Sequence, residues 1–271
     1  MNNRKIVFFD IDGTIYRFDT GMPKDTYEAI KLLKAKGHIP VICTGRTRCM
    51  IYKEHMAPGF RDIVAGAGTY VEIGGKELYC NTINNNEARR VIDGFVRNGF
   101  VPVAEGRDNI YIGRDISDLT ETTKHVYNVY RESMGDFILS TDESEINVSK
   151  VSALFTNHSN PEGMIKEFEN DYTIISHQHS LLELVPKGYN KAVGIEKLIK
   201  ALNIPWENTY AFGDSLNDID MLKYVKYGCA MGNSDDAIKE ATKYHTSDFD
   251  KGGIYELSLI HISEPTRHSL I

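Results

Sequence analysis

Phe8-Phe9-Asp10-Ile11-Asp12-Gly13-Thr14 sets an apolar run against two carboxylates, a glycine and a hydroxyl. The run Ile6–Phe9 reads as a buried strand of a parallel sheet, and ligands of such sheets gather beyond the carboxyl ends of the strands. On an extended chain residues i and i+2 point the same way, so Asp10 and Asp12 bring two like charges into one small region. That is costly unless a cation neutralises it, and oxygen-only donors suit a hard ion such as Mg²⁺. The same string can also begin a plain turn at Gly13. A calcium loop would need more acidic ligands at fixed offsets and a closing Glu, whereas Gly21, Met22 and Pro23 follow here. Ion site and turn both stay open on this segment alone.

Outward from it, apolar runs of strand length alternate with helical stretches, the pattern of a parallel sheet covered by helices on both faces. Pro23 and Asp25 open a helix bearing Tyr27, Ile30 and Leu33 on one side, and Gly37 closes it. Strands are expected at Ile39–Cys43 and around Ile63–Val64, then a hairpin of Tyr70–Ile73 and Lys76–Tyr79 turned by Gly74-Gly75. Beyond Asn81 the texture becomes α+β: helices over 86–97, 118–131 and 162–169, strands near 100–104, 109–112, 151–156 and 172–177, and a polar loop over 141–150. The α/β alternation resumes after Leu181–Val185 with helix 191–202, strand Thr209–Phe212, helix 217–224, strand Gly228–Met231 and helix 235–242. The expected division is a doubly wound, mostly parallel core of residues 1–81 and 184–256, with an α+β insert over 82–183.

Three further segments follow expected strands directly. Thr44-Gly45-Arg46 offers a hydroxyl and backbone N–H groups that can hold a phosphoryl oxygen. Lys191 opens a helix, where it is either an ordinary solvated lysine or an ammonium placed against phosphoryl charge. Gly213-Asp214-Ser215-Leu216-Asn217-Asp218 brings one carboxylate to a strand end, then an amide and a second carboxylate a turn later; a helix cap accounts for Asp218 well and for Asp214 less well.

In this order, with an insert between the second and third, the four segments resemble the haloacid-dehalogenase-like phosphatase superfamily, and within it the Cof-type class with a large α+β cap. The resemblance spans residues 4–255, with only the four motifs specific. It implies a Mg²⁺-dependent phosphatase of small phosphorylated metabolites, such as a sugar phosphate, that works through an aspartyl-phosphate. Asp10 is then the nucleophile and a metal ligand, and Asp12 the general acid and base with its backbone carbonyl on the metal. Thr44, Gly45, Lys191 and Asn217 hold the phosphate, Asp214 completes the metal ligands, and Asp218 supports them from behind. One departure is visible: the class usually carries Asn-Gly-Ala after the third strand, and this chain reads Ala67-Gly68-Thr69.

Two rival functions fit the same residues: a phosphosugar mutase or phosphotransferase, in which a sugar hydroxyl replaces water, and a non-catalytic phosphometabolite sensor. The intact Asp10/Asp12 pair argues against the sensor, which gains nothing from a nucleophile. Lys and Arg total 31 against 38 Asp and Glu, a net charge of −7 with no basic run, which speaks against nucleic acid or an anionic membrane as partner. The apolar run behind Met1-Asn2-Asn3-Arg4-Lys5 is too brief for a signal peptide or a membrane span, so a cytoplasmic location is expected. Cys43, Cys49, Cys80 and Cys229 form no C-x-x-C pair and read as free thiols. His177-Gln178-His179 lacks a nearby third nitrogen or thiolate ligand and reads as solvated or cap-lining. Residues 257–271 resemble the translation of a sequencing adapter, so this tail, with His261 and His268, is read as non-native. Neither the substrate nor the oligomeric state is written in these patterns.

Overall fold

A computed structural model describes residues 4–177 and 180–257. His179 and the tail beyond residue 257, with His261 and His268, lie outside the described residues. The chain runs β1 (Ile6–Phe9), α1 (Lys24–Ala35), β2 (Ile39–Cys43), α2 (Lys53–Met56), β3 (Asp62–Ala65), β4 (Tyr70–Ile73) and β5 (Lys76–Cys80). It continues through α3 (Asn85–Arg97), β6 (Val101–Glu105), β7 (Ile110–Ile112), α4 (Glu121–Met134), β8 (Ile138–Ser140), β9 (Lys150–Leu154), α5 (Pro161–Phe168), β10 (Tyr172–His177) and β11 (Leu181–Pro186). Last come α6 (Lys191–Ala201), β12 (Thr209–Gly213), α7 (Ile219–Tyr224), β13 (Tyr227–Ala230), α8 (Asp236–Ala241), β14 (Tyr244–His245) and α9 (Gly253–Leu257). Two compact units divide it: residues 4–46, 51–79 and 190–257 form the first, and 47–50 with 80–189 the second. No helix among the described residues is long and apolar enough to cross a membrane.

The first unit holds an eight-stranded sheet in the order β14-β13-β12-β1-β2-β3-β4-β5. The pairs β13/β14, β12/β13, β1/β12, β1/β2 and β2/β3 are parallel, and β3/β4 is antiparallel. From β1 the chain winds outward one way through β2 and β3, then returns to β12 on the other side and winds the opposite way. This is the doubly wound α/β arrangement, whose ligand crevice lies where the winding reverses, outside the ends of β1 and β12. Alternation along the strands builds the two faces. Ile6, Phe8, Val41, Cys43 and Ala211 pack with Ile195 and Leu198 of α6, Met221 and Leu222 of α7 and Ile238 of α8. On the other face α1 packs against β2 and buries Ala29, Ile30 and Leu33, while Phe9 stacks on Phe212 with ring centres 5.3 Å apart. Each such side chain fully removed from water contributes about 1.5–3 kcal/mol.

Where the class pattern and this chain part, at Ala67-Gly68-Thr69, the backbone turns tightly. Ala67 takes a left-handed φ of 52°, a conformation that Asn tolerates better than Ala. Gly68 has φ 87°, and a Cβ there would lie 2.1 Å from the Asn190 carbonyl oxygen just ahead of α6, so only glycine allows this approach.

The second unit is a six-stranded sheet, β10-β11-β9-β6-β7-β8, antiparallel except for β7/β8. Ala104, Val151, Ala153, Leu182 and Leu184 face a core closed by Val91, Ile92 and Phe95 of α3 and Met164 and Phe168 of α5. The intervening positions of the same strands carry Glu105, Lys150, Ser152 and Glu183, all buried. Lys150 Nζ lies 2.5 Å from Glu183 Oε1 and 3.3 Å from Glu105 Oε2, and Ser152 donates to Glu105 Oε1. His177 Nε2 lies 3.0 Å from Glu183 Oε2, so this histidine joins the charged group. Burial would raise Glu183, but Lys150 and His177 outweigh it and bring the carboxyl down to about 2. One local expectation shifts. The helix placed at 118–131 begins at Glu121, because the Thr120 hydroxyl oxygen accepts the Thr123 N–H and caps it there, and it runs on to Met134. The three-residue β8, too short to show alternation, pairs with β7.

Candidate active site

Asp10, Thr44 and Asp214 are each the first residue beyond a strand: β1, β2 and β12 respectively. The Asp10 N–H still donates to the Phe212 carbonyl at 3.1 Å, and the Thr44 N–H to that of Val64 at 2.9 Å, so the ladders carry both residues to the sheet rim. Lys191 is the first residue of α6, whose start is capped by the Asn190 side chain accepting the Val193 N–H at 3.0 Å. The Lys191 ammonium donates to Asp10 Oδ1 and Asp218 Oδ1, both at 2.6 Å, and to Asn217 Oδ1 at 3.3 Å. Lys191 is 1% exposed, Asp10 4% and Asp218 0%, so these are ion pairs taken out of water. Burial raises the Asp10 carboxyl well above its ordinary value, with Asp218 adding to the rise and Lys191 opposing it. Burial would lower the Lys191 ammonium, but Asp10 and Asp218 outweigh it and hold it above its usual range.

Asp10, Asp214 and Asp218 each offer an oxygen to one spot, these atoms lying within 4.8 Å of one another. Asp218 is already committed: Oδ1 accepts Lys191, and Oδ2 accepts the N–H groups of Asp214 at 3.0 Å and Ser215 at 3.1 Å. It therefore braces the strand-end loop, and Asp10 and Asp214 are the carboxylates left to face a cation. Asp214 accepts from the Thr14 hydroxyl at 3.1 Å and presses against Gly13, where a Cβ would lie 2.2 Å from Asp214 Oδ2. Burial, with the Asp218 charge behind it, pushes Asp214 up to about 7. Three clustered carboxylates against one ammonium, with oxygen donors only, fit a hard divalent cation.

The Asp12 carboxylate supplies none of the three clustered oxygens. The strand ends at Phe9 and the chain curls through Gly13 (φ 79°), so the same-side projection of an extended chain does not carry through Asp12. Its carboxylate, 55% exposed, is gripped by Arg46: Nε to Oδ2 at 2.8 Å and Nη2 to Oδ1 at 2.7 Å. Partial desolvation by the surrounding groups would raise Asp12, but the guanidinium outweighs it and holds the carboxyl below its usual value. Near by lies His55, 0% exposed, whose Nδ1 accepts the Tyr52 N–H at 3.0 Å and whose ring meets Tyr16 edge-on at 4.6 Å. Its buried Nε2 has no hydrogen-bond partner among the described residues, and burial, helped by Arg46, pulls the imidazole down to about 4.

Thr44 is buried, with its hydroxyl oxygen accepting the Arg46 N–H at 3.2 Å and its carbonyl the Ala67 N–H at 3.1 Å. Gly45 is half-buried between them. Cys43, behind Asp10, is fully buried and its thiol is raised, which leaves it an inert filler. The sequence patterns point to Asp10, Thr44, Lys191, Asp214, Asn217 and Asp218 but give no part to Arg46, His55 or Asn233. Arg46 was legible only as the third member of Thr44-Gly45-Arg46. Asn233 sits three residues past β13, in the loop Met231-Gly232-Asn233 that follows the strand.

The chain is similar to known proteins along nearly its whole length. The family model described as haloacid dehalogenase-like hydrolase matches residues 7–257. YkrA of Bacillus subtilis (strain 168) is 28% identical over 252 residues, covering 92% of this chain and 95% of that protein. The 5-amino-6-(5-phospho-D-ribitylamino)uracil phosphatase YitU of the same organism is 26% identical over 270 residues, covering 92% and 94%. A solved structure reported for a conserved trigonal-bipyramidal intermediate in a phosphoryl-transfer superfamily is 27% identical, with TM-score 0.79 and coverage of 96% of this chain and 99% of that one.

Proposed function

The chain belongs to the haloacid dehalogenase-like hydrolase family and is a phosphatase, and on that premise we propose that it hydrolyses small phosphorylated metabolites, with Mg²⁺ as cofactor and Asp10 as nucleophile. The observation that carries this reading is the Lys191 ammonium held 2.6 Å from both Asp10 and Asp218, with Asp214 completing the carboxylate cluster. A carboxylate, a buried cation and a hard-ion site converge at the crevice of a parallel sheet.

In the first step an Asp10 carboxylate oxygen forms a bond to phosphorus as the bond to the leaving oxygen breaks, and Asp12 gives that oxygen a proton. In the second, ionised Asp12 takes a proton from water, the water oxygen attacks phosphorus, and the acyl-phosphate bond breaks to release inorganic phosphate and restore Asp10. Lys191, Asn217, Thr44 and the Gly45 backbone orient the phosphoryl oxygens. Mg²⁺, held by Asp10, Asp214 and the Asp12 backbone carbonyl, would neutralise phosphoryl charge and keep Asp10 ionised. Asp12 must carry its proton in the first step, so its pair with Arg46 opens when substrate arrives. We assign the chemistry to the unit that carries Asp10, Thr44, Lys191 and Asp214, residues 4–46, 51–79 and 190–257; the insert expected over 82–183 corresponds to the second unit, which runs on to residue 189 because β11 pairs with β9 and β10. YitU acts by name on a phosphorylated ribityl compound, which supports sugar and polyol phosphates as the class to test first.

The test is turnover of a phosphorylated-sugar and polyol panel with Mg²⁺, and with EDTA in its place. Metal-dependent release of inorganic phosphate is expected. Isomerised sugar phosphate with little inorganic phosphate would assign a mutase instead, and tight binding with no turnover would assign a sensor.

A further inference from the structure

Asn233 touches three separate parts of the first unit. It follows β13, and its Nδ2 donates to the Gly13 carbonyl at 3.0 Å and to Asp214 Oδ2 at 3.4 Å. Its Oδ1 accepts the Phe249 N–H at 2.8 Å, which sets the amide the right way round: oxygen towards the amide donor, nitrogen towards the two acceptors. The Asp214 carboxylate is thus held at both ends, by Thr14 on Oδ1 and by Asn233 on Oδ2. One amide also ties the loop after Asp10 to the loop after β12. A residue that only closed a turn would bond its own loop; Asn233 spends its two donor hydrogens on the two segments that carry the candidate metal-binding carboxylates. Groups that fix a ligand's orientation from behind the metal typically change its affinity 10–100-fold when removed.

We propose that Asn233 is a positioning residue for Mg²⁺: by bridging the Gly13 carbonyl and Asp214 Oδ2 it sets the angle and distance between the Asp10 and Asp214 carboxylates. This rests on the reading of those two aspartates as Mg²⁺ ligands. It predicts a defect in metal binding that is present without substrate. It also predicts partial recovery of turnover at high Mg²⁺, because the reacting groups themselves are intact.

The experiment is calorimetric titration of Mg²⁺ alone into the metal-free full chain, with thermal melts alongside, for wild type, Asn233→Ala, Asn233→Leu and the core variant Ile238→Ala. Ile238 is fully buried in α8 and packs in the apolar core of the sheet, so it serves as the stability control. Expected is a Mg²⁺ dissociation constant raised about tenfold or more in both Asn233 variants and unchanged in Ile238→Ala, even where their metal-free melts fall equally. Unchanged Mg²⁺ affinity in folded Asn233 variants overturns the role of Asn233 and leaves the metal reading standing. No Mg²⁺ binding by wild type overturns both. If neither Asn233 variant folds, the residue is an anchor for the Phe249 turn and the proposal fails.

Discussion

Replacing Lys191 by Met keeps most of the side-chain volume and removes the one ammonium between Asp10 and Asp218. Both contacts are 2.6 Å, and Lys191 and Asp218 are at most 1% exposed, so solvent cannot take its place. Breaking a buried ion pair by deleting one partner costs about 3–5 kcal/mol, a large part of the ~5–15 kcal/mol that holds a domain folded. For a unit of this size that corresponds to a melting-temperature loss of about 6–20 °C. The sign of the pH dependence follows from linkage. Asp10 is already raised above its unfolded value by burial, and losing Lys191 raises it further. A carboxyl that is raised on folding stabilises at low pH and loses that contribution as pH rises through its folded value, so the variant should be worst near pH 8 and recover towards pH 5. Mg²⁺ should recover part of the loss at pH 8 by supplying positive charge. Melts of wild type and variant at pH 5 and 8, with EDTA and with Mg²⁺, measure all three effects. A variant within about 0.5 kcal/mol of wild type at pH 8, with the same pH slope, would refute the account of Lys191 as the counter-charge of a buried carboxylate pair.

Three other outcomes follow from the same reasoning. Arg46→Ala frees Asp12, whose carboxyl the guanidinium holds down, so the descending limb of the pH profile of kcat/KM should move to higher pH; an unmoved limb would separate Asp12 from the acid role. His55, lowered from 6.5 to about 4 while fully buried, contributes about 3 kcal/mol that is present above pH 6.5 and lost as pH falls through 4; His55→Phe should flatten the stability curve over that window in urea titrations. Lys150→Met strands Glu105 and Glu183 in the second unit at a cost of about 3–5 kcal/mol, and adding Glu105→Gln and Glu183→Gln should restore most of it in the same melts.

What was legible in the sequence was what is local. Strand-end placement marked Asp10, Thr44 and Asp214, because an apolar run followed by Asp-x-Asp-Gly, Thr-Gly-Arg or Gly-Asp can be read within a few residues, and the α/β alternation gave the doubly wound sheet. The reach of a side chain across the fold could not be read. Arg46 meets Asp12 across 34 residues and Asn233 meets Gly13 across 220, and no period records either. Same-side projection of Asp10 and Asp12 presumed a strand that stops at Phe9. Lys150 closes a polar stretch that reads as loop, yet it opens β9, because Glu105 and Glu183 on the flanking strands give its charge a place inside the sheet.

In the proposed reaction the phosphoryl group passes through Asp10. Acid quenching during turnover of an aryl phosphate with Mg²⁺, followed by mass spectrometry of the peptide carrying Asp10, tests it directly. Expected is one added phosphoryl group on that peptide, lost on borohydride reduction of the acyl phosphate and absent, together with all turnover, in Asp10→Asn. Turnover retained in Asp10→Asn, or a phosphoryl group found on another residue, would contradict it.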